Sequence, residues 1–336
     1  MATTISHPRH SPAAAADRNE LCAADAAPEP TALREPAPRA SVIIPHLNTP
    51  ELLVKCLQSL ITQKLDRGWF EIIVVDNGSR MPLDAVARAW PNVTFLVEHT
   101  PGPGPARNLG VQHARAEILA FIDADCRAAP GWLQAALQAV ENRPQLPVGG
   151  DVRVDFRNPE DIQGIEGFEA VFSFRQKMYI RRRHFSGAGN LACNRNLFVS
   201  IGGFAGIEKS EDVDWGHRAT AAGHPPYYVS AMRIFHPART SYAALQQRWR
   251  RFIAHKWNVH DKKLAGRIKW QIRAFAVLGS PVAHVFLILF SPRIPSLRGR
   301  LRAIPVMIAI RYDRFVEMQR VARTNDSSSA QKWNRA

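Results

Sequence analysis

Ile118-Leu-Ala-Phe-Ile122, followed at once by Asp123-Ala-Asp125, is the stretch on which the reading of this chain turns. Five consecutive apolar residues stopped by carboxylates read as a short strand buried on both faces. Upstream the same logic repeats. Ser41-Val-Ile-Ile-Pro45 is a strand, and Thr49-Pro-Glu51 opens a helix with threonine at the cap and proline at the first position. Glu71-Ile-Ile-Val-Val75 is a second strand, closed by Asp76-Asn-Gly-Ser79. A helix is predicted over 83–90, a third strand near 93–97, a Pro/Gly loop over 101–105 and a helix from 106 to about 115. Strands alternating with helices predict an α/β fold with a mostly parallel sheet flanked by helices. Ligands bind such sheets beyond the carboxyl ends of the strands, where Asp76 and Asp123 both stand.

A chain of 336 residues can form two domains, or one α/β domain with additions. Residues 1–174 carry a net charge of −6 and residues 175–336 one of +21. A basic half of this size suits phosphates, an anionic membrane surface or nucleic acid, and charge alone does not choose among them. No recognised nucleic-acid motif or ordered aromatic platform accompanies it, so no specific nucleic acid is expected. Cys22, Cys56, Cys126 and Cys193 are scattered without a CxxC pair, which argues against a zinc site or a disulfide framework. The Ala/Pro-rich residues 1–39 read as a disordered leader without a signal-peptide core, and 326–336 as a disordered tail.

Several residue groups carry candidate chemistry, each with a plainer alternative. Asp123 and Asp125 can share one hard cation, Mg²⁺ or Mn²⁺, which would neutralise a diphosphate; the alternative is a solvated acidic turn. Asp76 can contact a nucleobase or ribose, or simply cap an Asn-Gly turn. Arg107 stands near a helix N-terminus, a natural anion site, or on an ordinary surface. Glu211 and Asp212 offer a general base, with Trp215 placed to stack on a sugar; the alternative is acids favoured by a helix dipole starting near Ser210. His236, beside Arg239, can be a further metal ligand, a phosphate contact, or structural.

Taken in order, these segments resemble family 2 glycosyltransferases, inverting enzymes of the GT-A fold. The resemblance rests on Ser41-Val-Ile-Ile-Pro45 with Asn48, Val74-Val-Asp-Asn-Gly-Ser79, Gly104-Pro-Ala-Arg-Asn-Leu-Gly110 and Phe121-Ile-Asp-Ala-Asp125. Gly187-Ala-Gly-Asn190, Ile201-Gly-Gly-Phe204 and Ser210-Glu-Asp-Val-Asp-Trp215 complete it, over roughly 40–255. It implies that Pro45, Asn48 and Asp76 line the nucleoside pocket with Arg107 near the donor. It further implies Asp123 and Asp125 as the metal pair, Asp212 as the base with Glu211 as the fallback, and Asn190 facing the acceptor. The implied chemistry is one in-line displacement with inversion. Processive members carry Gln-x-x-Arg-Trp; here Leu245 stands where the glutamine belongs before Arg248-Trp249, which favours adding a single sugar. Arg248 and Trp249 are then read as a basic helix face.

Residues 256–325 form a basic, apolar helical region. The 274–290 stretch has 17 residues without formal charge, interrupted by Gly279, Pro281 and His284. A helix of that length is marginal for a bilayer. Lys262, Lys263, Arg267, Lys269 and Arg273 precede it, and Arg293, Arg298, Arg300 and Arg302 follow it. One crossing would put a basic cluster on each side, so a monotopic segment on anionic lipid, at the inner face of the cell membrane, fits better. A helix hairpin packed on the catalytic domain is the alternative. The expected function is metal-dependent transfer of one sugar from a nucleotide-diphosphate sugar to a glycan or lipid-linked hydroxyl, in polysaccharide or glycolipid synthesis. A non-catalytic nucleotide-sugar sensor with the same pocket is the competing expectation.

Overall fold

The computed structural model describes residues 37–63, 65 and 69–326. Of the leader expected over 1–39 and the tail expected over 326–336, residues 1–36 and 327–336 lie outside the described residues. The chain runs through β1 (Ala40–His46), α1 (Pro50–Ile61), β2 (Phe70–Asp76), α2 (Asp84–Ala89), β3 (Thr94–Val97), α3 (Pro103–His113) and β4 (Ile118–Ile122). It continues with β5 (Arg127–Ala128), α4 (Trp132–Asn142), β6 (Val148–Asp155), α5 (Gly164–Phe172), α6 (Gln176–Arg183), β7 (Asn190–Asn194), α7 (Arg195–Ile201), α8 (Glu211–Ala221) and β8 (Tyr227–Pro237). Four helices close it: α9 (Tyr242–Asn258), α10 (Leu264–Gly279), α11 (Pro281–Leu289) and α12 (Leu297–Thr324).

Among the described residues the strands form one eight-stranded sheet in the order β3-β2-β1-β4-β7-β6-β8-β5. The β3-β2-β1-β4 half is parallel, as the alternation requires. Beyond β4 the sheet is mixed, because β7 runs antiparallel to both β4 and β6 while β6 and β8 are parallel. Period-two alternation sends Val42, Ile44, Val74 and Ile122 to one face with α1 and α4, and Ile43, Ile73, Val75 and Phe121 to the other with α3 and α8. Central β4 is buried at every position and ends at the acids.

Three boundaries differ from expectation. α3 begins at Pro103 rather than 106, because proline is well tolerated in the first turn, where amides lack partners anyway. β8, expected from its apolar residues only over 227–230, runs on to Pro237, absorbing an irregularity in its pairing with β6 at Gly150/Asp151, and so carries His236 into the sheet. The domain division expected at 255/256 falls inside α9, and α5, α9, α11 and α12 share one core built on Phe168, Phe172, Leu245, Ile288, Met307 and Ile310. The residues from Ala37 onward therefore form one unit.

The uncharged 274–290 stretch is not one helix. It breaks between Gly279 and Pro281, and α10 and α11 meet at a bend of 47°. No single helix among the described residues is long and apolar enough to cross a membrane, although this bent pair passes by length and composition. Three of the flanking arginines bind protein: Arg293 reaches Asp151 and the Phe174 carbonyl, Arg300 the carbonyls of Leu289 and Ile294, and Arg302 Asp161. Arg293 fastens the segment between α11 and α12 to β6, Arg302 fastens α12 to the loop before α5, and Arg300 ties α12 back to the end of α11.

Candidate active site

The acids after β4 divide two cavities. One, of about 410 Å³, is walled by Pro45, His46, Thr49, Asn77, Ala124 and Asp125. The other, of about 210 Å³, is walled by Phe174, Gln176, Tyr179, Asp212, His236 and Arg248. Arg107, Asp123 and Glu211 line both. The partition is built by Arg107, whose Nη2 donates to Asp123 at 2.6 Å and whose Nη1 donates to Glu211 at 3.0 Å. Arg107 is only 3% exposed, so this is a buried bridge between two carboxylates. The expected donor-anion contact is corrected accordingly: Arg107 sits in the second turn of α3, not at its open end, and both Nη groups are committed to acids.

Asp125 and His236 come together although 111 positions separate them in the chain, with Asp125 Oδ2 and His236 Nε2 at 3.4 Å. The Nδ1 of His236 faces the Pro237 carbonyl at 2.6 Å. That contact directs the other ring nitrogen toward the carboxylate, as ligand histidines require. A carboxylate oxygen and an imidazole nitrogen, both partly exposed on the cleft, fit a divalent cation of the Mn²⁺ type. Cys126 lies in the same cluster, but burial and the neighbouring acids push its thiol well up, which keeps it protonated. Asp123 is the exception to the expected pair, since its Oδ1 accepts from Arg107. Its Oδ2 packs on Gly189, where an added Cβ would lie 2.2 Å away, so the Gly187-Ala-Gly-Asn190 loop needs glycine for close approach.

Asp212 lines the smaller cavity at the start of α8. Its Oδ1 accepts from Ser210 Oγ at 3.1 Å and from the Val213 amide at 2.8 Å. No protein hydrogen bond among the described residues goes to its Oδ2. Burial, and then the adjacent Glu211 charge, push Asp212 up to about 6. A carboxyl group so poised titrates near neutrality, as a general base should. Glu211, held by Arg107, is the less available of the two.

Other expectations need correction. Asn190 is fully buried, donating to the carbonyls of Asp151 and Met232 and accepting from Trp132 Nε1; it ties strands together and faces no acceptor. Trp215 is buried against Phe198 and Phe204, so it offers no stacking surface to a sugar. Asp76 accepts from His46 Nδ1 and from the Ser79 amide, and Asn48, at φ 55°, accepts from the Arg80 amide. These two stabilise the turn behind the larger cavity, while Pro45 walls it directly. Arg248 is not a mere surface cation: it donates to Glu169 and Ser173 at the wall of the smaller cavity.

Sequence reasoning missed His46, Asn77, Gln176 and Tyr179. Asn77 was visible in the Asp76-Asn-Gly-Ser79 turn, and its side chain now pins the loop before α3 through Glu98, Thr100 and Gly102. Gln176 and Tyr179, on α6, carried no local signal.

The family model for glycosyl transferase family 2 matches residues 41–213. Glycosyltransferase AglE of Haloferax volcanii is 31% identical over 219 residues, covering 63% of this chain and 71% of its own length. The pre-mycofactocin glycosyltransferase of Mycobacterium tuberculosis is 27% identical over 210 residues, or 60% of this chain and 43% of its own. The mannosyltransferase PcManGT of Pyrobaculum calidifontis, solved with GDP-Man and Mn²⁺, superposes with a TM-score of 0.52 at 19% identity over 90% of each chain, a likeness of fold. The matched segment covers just over half of the chain and contains Asp123, Asp125, Glu211 and Asp212, and the chain belongs to glycosyltransferase family 2 and is a glycosyltransferase.

Proposed function

We propose that this enzyme transfers one sugar, with inversion, from a nucleotide-diphosphate sugar to a hydroxyl of a glycan or lipid-linked acceptor. The observation that carries the proposal is the partition itself: a larger cavity and a smaller one meet at Asp123, Arg107 and Glu211. The nucleotide belongs in the larger cavity, against Pro45, His46 and Asn77. Its diphosphate then faces Asp125 and His236, the pair that would hold Mg²⁺ or Mn²⁺. A divalent cation there would neutralise the departing diphosphate.

The acceptor hydroxyl belongs in the smaller cavity beside Asp212. Asp212 Oδ2 takes the hydroxyl proton as the oxygen attacks the anomeric carbon, on the side opposite the leaving group. General bases of this kind contribute about 10²–10⁴-fold. Arg107 holds Asp123 and Glu211 in place, so the floor between the two substrates does not shift. Leu245 in place of the processive glutamine supports addition of a single sugar.

We assign the reaction to the inner, cytoplasmic face of the membrane, a reading supported by the apolar stripes of α10 and α12. Leu264, Ile268, Ile272, Phe275 and Leu278 are exposed on α10 at spacings that keep them on one side. Leu297, Leu301, Ile308, Tyr312 and Val316 do the same on α12. Lys269 and Arg273 are exposed beside the first stripe. An apolar face edged with cations suits an anionic bilayer surface.

The decisive experiment is a donor screen that scores released nucleoside diphosphate with and without Mn²⁺ or Mg²⁺. Full activity in Asp125→Ala would overturn the metal assignment. Donor binding without turnover, across a broad acceptor set, would favour the sensor instead.

A further inference from the structure

Behind Arg248 lies a second group of cations that the transfer chemistry does not use. Arg311, on α12, is only 7% exposed. It forms no hydrogen bond or ion pair among the described residues, and its Nε is buried without a partner. Its guanidinium lies 5.1 Å from the centre of the Phe172 ring. The His284 ring, on α11, packs on the same phenylalanine at 5.2 Å, and its Nδ1 is also buried and unpartnered. One turn along α12, Arg314 stacks on Trp249 at 4.0 Å and leaves its own Nε unpartnered.

The nearby acids are already engaged. Glu169 accepts from Arg239 and Arg248, and Asp313 accepts from Tyr242 and Gln246. Burial and then Arg175 push Arg311 down to about 10, while burial, Arg311 and Arg273 push Arg314 down to about 9. Both remain charged at neutral pH. A buried guanidinium without a counter-charge is costly unless an anion completes it.

The position of the cluster narrows the anion. On one side Trp249 follows Arg248, which walls the acceptor-side cavity. On the other side α11 exposes Val282, Phe286 and Leu287. The Phe275–Phe315 contact at 5.3 Å and the Gln271–Gln319 hydrogen bond at 2.7 Å join the outer stripes of α10 and α12 beside them. The cations therefore stand between the cavity and the apolar face.

We propose that Arg311, Arg314 and His284 bind a phosphate group carried by a lipid, and that this phosphate seats the acceptor for the transfer described above. The acceptor role rests on the proposed function; the phosphate site does not. Two lipids share the chemistry, an acceptor lipid phosphate and a membrane phospholipid headgroup.

The test is equilibrium binding with the full chain. Farnesyl phosphate and farnesol are compared in neutral detergent micelles, and phosphatidylglycerol vesicles are compared with phosphatidylcholine vesicles. Farnesyl phosphate is expected to bind at least tenfold more tightly than farnesol, a difference that Arg311→Met and Arg314→Met each reduce tenfold. A headgroup source would show the same loss on phosphatidylglycerol vesicles. Without ligand, Arg311→Met is expected to melt at or above the wild-type temperature, whereas a structural arginine would lower it; Arg314→Met repeats the test should the first variant not fold. Equal binding of phosphate and alcohol, together with unchanged vesicle binding in both variants, overturns the site. Wild-type protein that binds farnesyl phosphate but releases no nucleoside diphosphate from any donor would count against the transferase reading and leave the phosphate site standing.

Discussion

Replacing Arg107 with methionine tests the construction of the active site most directly. The side chain is buried and makes two charge-assisted hydrogen bonds, to Asp123 at 2.6 Å and Glu211 at 3.0 Å. Such bonds contribute about 1.5–3 kcal/mol each. The Asp123 side chain is 37% exposed, so water recovers much of the first bond and its share is discounted. Glu211 is 13% exposed and loses most of the second. Methionine fills the space, which leaves a net destabilisation of about 2–4 kcal/mol. For a chain of this size that corresponds to a fall in Tm of roughly 3–6 °C. A second readout is specific to the charge. Arg107 is among the groups that lower the Asp212 pKa, so removing it raises that pKa above about 6. The base works deprotonated, so the rise of kcat with pH moves to higher pH. Differential scanning fluorimetry and a kcat–pH profile measure the two effects. A Tm within about 2 °C of wild type and an unmoved acid limb would refute the bridge; Arg107→Lys, which keeps the charge but cannot span both carboxylates, should lower Tm as methionine does while leaving the acid limb near its wild-type position.

Asp212→Asn is expected to lower kcat by about 10²–10⁴-fold with little change in donor affinity, measured by nucleoside diphosphate release and by calorimetry. The wild-type profile should rise through pH near 6, and the asparagine variant should lose that limb. Gly189→Ala would place a methyl group 2.2 Å from Asp123 Oδ2, so it should displace that carboxylate and reduce activity while secondary structure, read by circular dichroism, persists. Phe275→Glu with Phe286→Glu, both at exposed positions, should leave Tm nearly unchanged but abolish sedimentation with phosphatidylglycerol vesicles; undiminished sedimentation would reject the apolar face as the docking surface.

The C-terminal region shows how charge runs mislead when read along one dimension. Arg293, Arg298, Arg300 and Arg302 look alike in sequence, yet Arg293 and Arg300 are absorbed by carbonyls within the body and Arg302 by Asp161. Arg311, which no sequence pattern distinguished, is buried and Arg314 half-buried, and the Nε of each lies buried without a partner among the described residues. Periodicity reports which side of a helix is apolar. It does not report which side a neighbouring helix has already covered.

The local code was legible where the physics is local. An uninterrupted apolar strand, a proline in the first turn of a helix and carboxylates at strand ends follow from short-range sterics and solvation, and β1, β2, β4 and α1 lie close to where they were expected. The acids at the end of β4 could be picked out for the same reason. The outcome for each side chain depended on partners distant in the chain: Arg107 meets Glu211 across 104 positions, and the extension of β8 brings His236 to Asp125. Asn190 and Trp215 were equally recognisable as motif residues, but strand pairing and aromatic packing turned both inward. The sequence by itself thus determined the strands, helices and reactive residue types, because these depend on neighbours a few positions away. Which polar groups face the cleft was decided only by the tertiary structure, because burial and hydrogen bonding are settled between segments that meet only once the chain has folded.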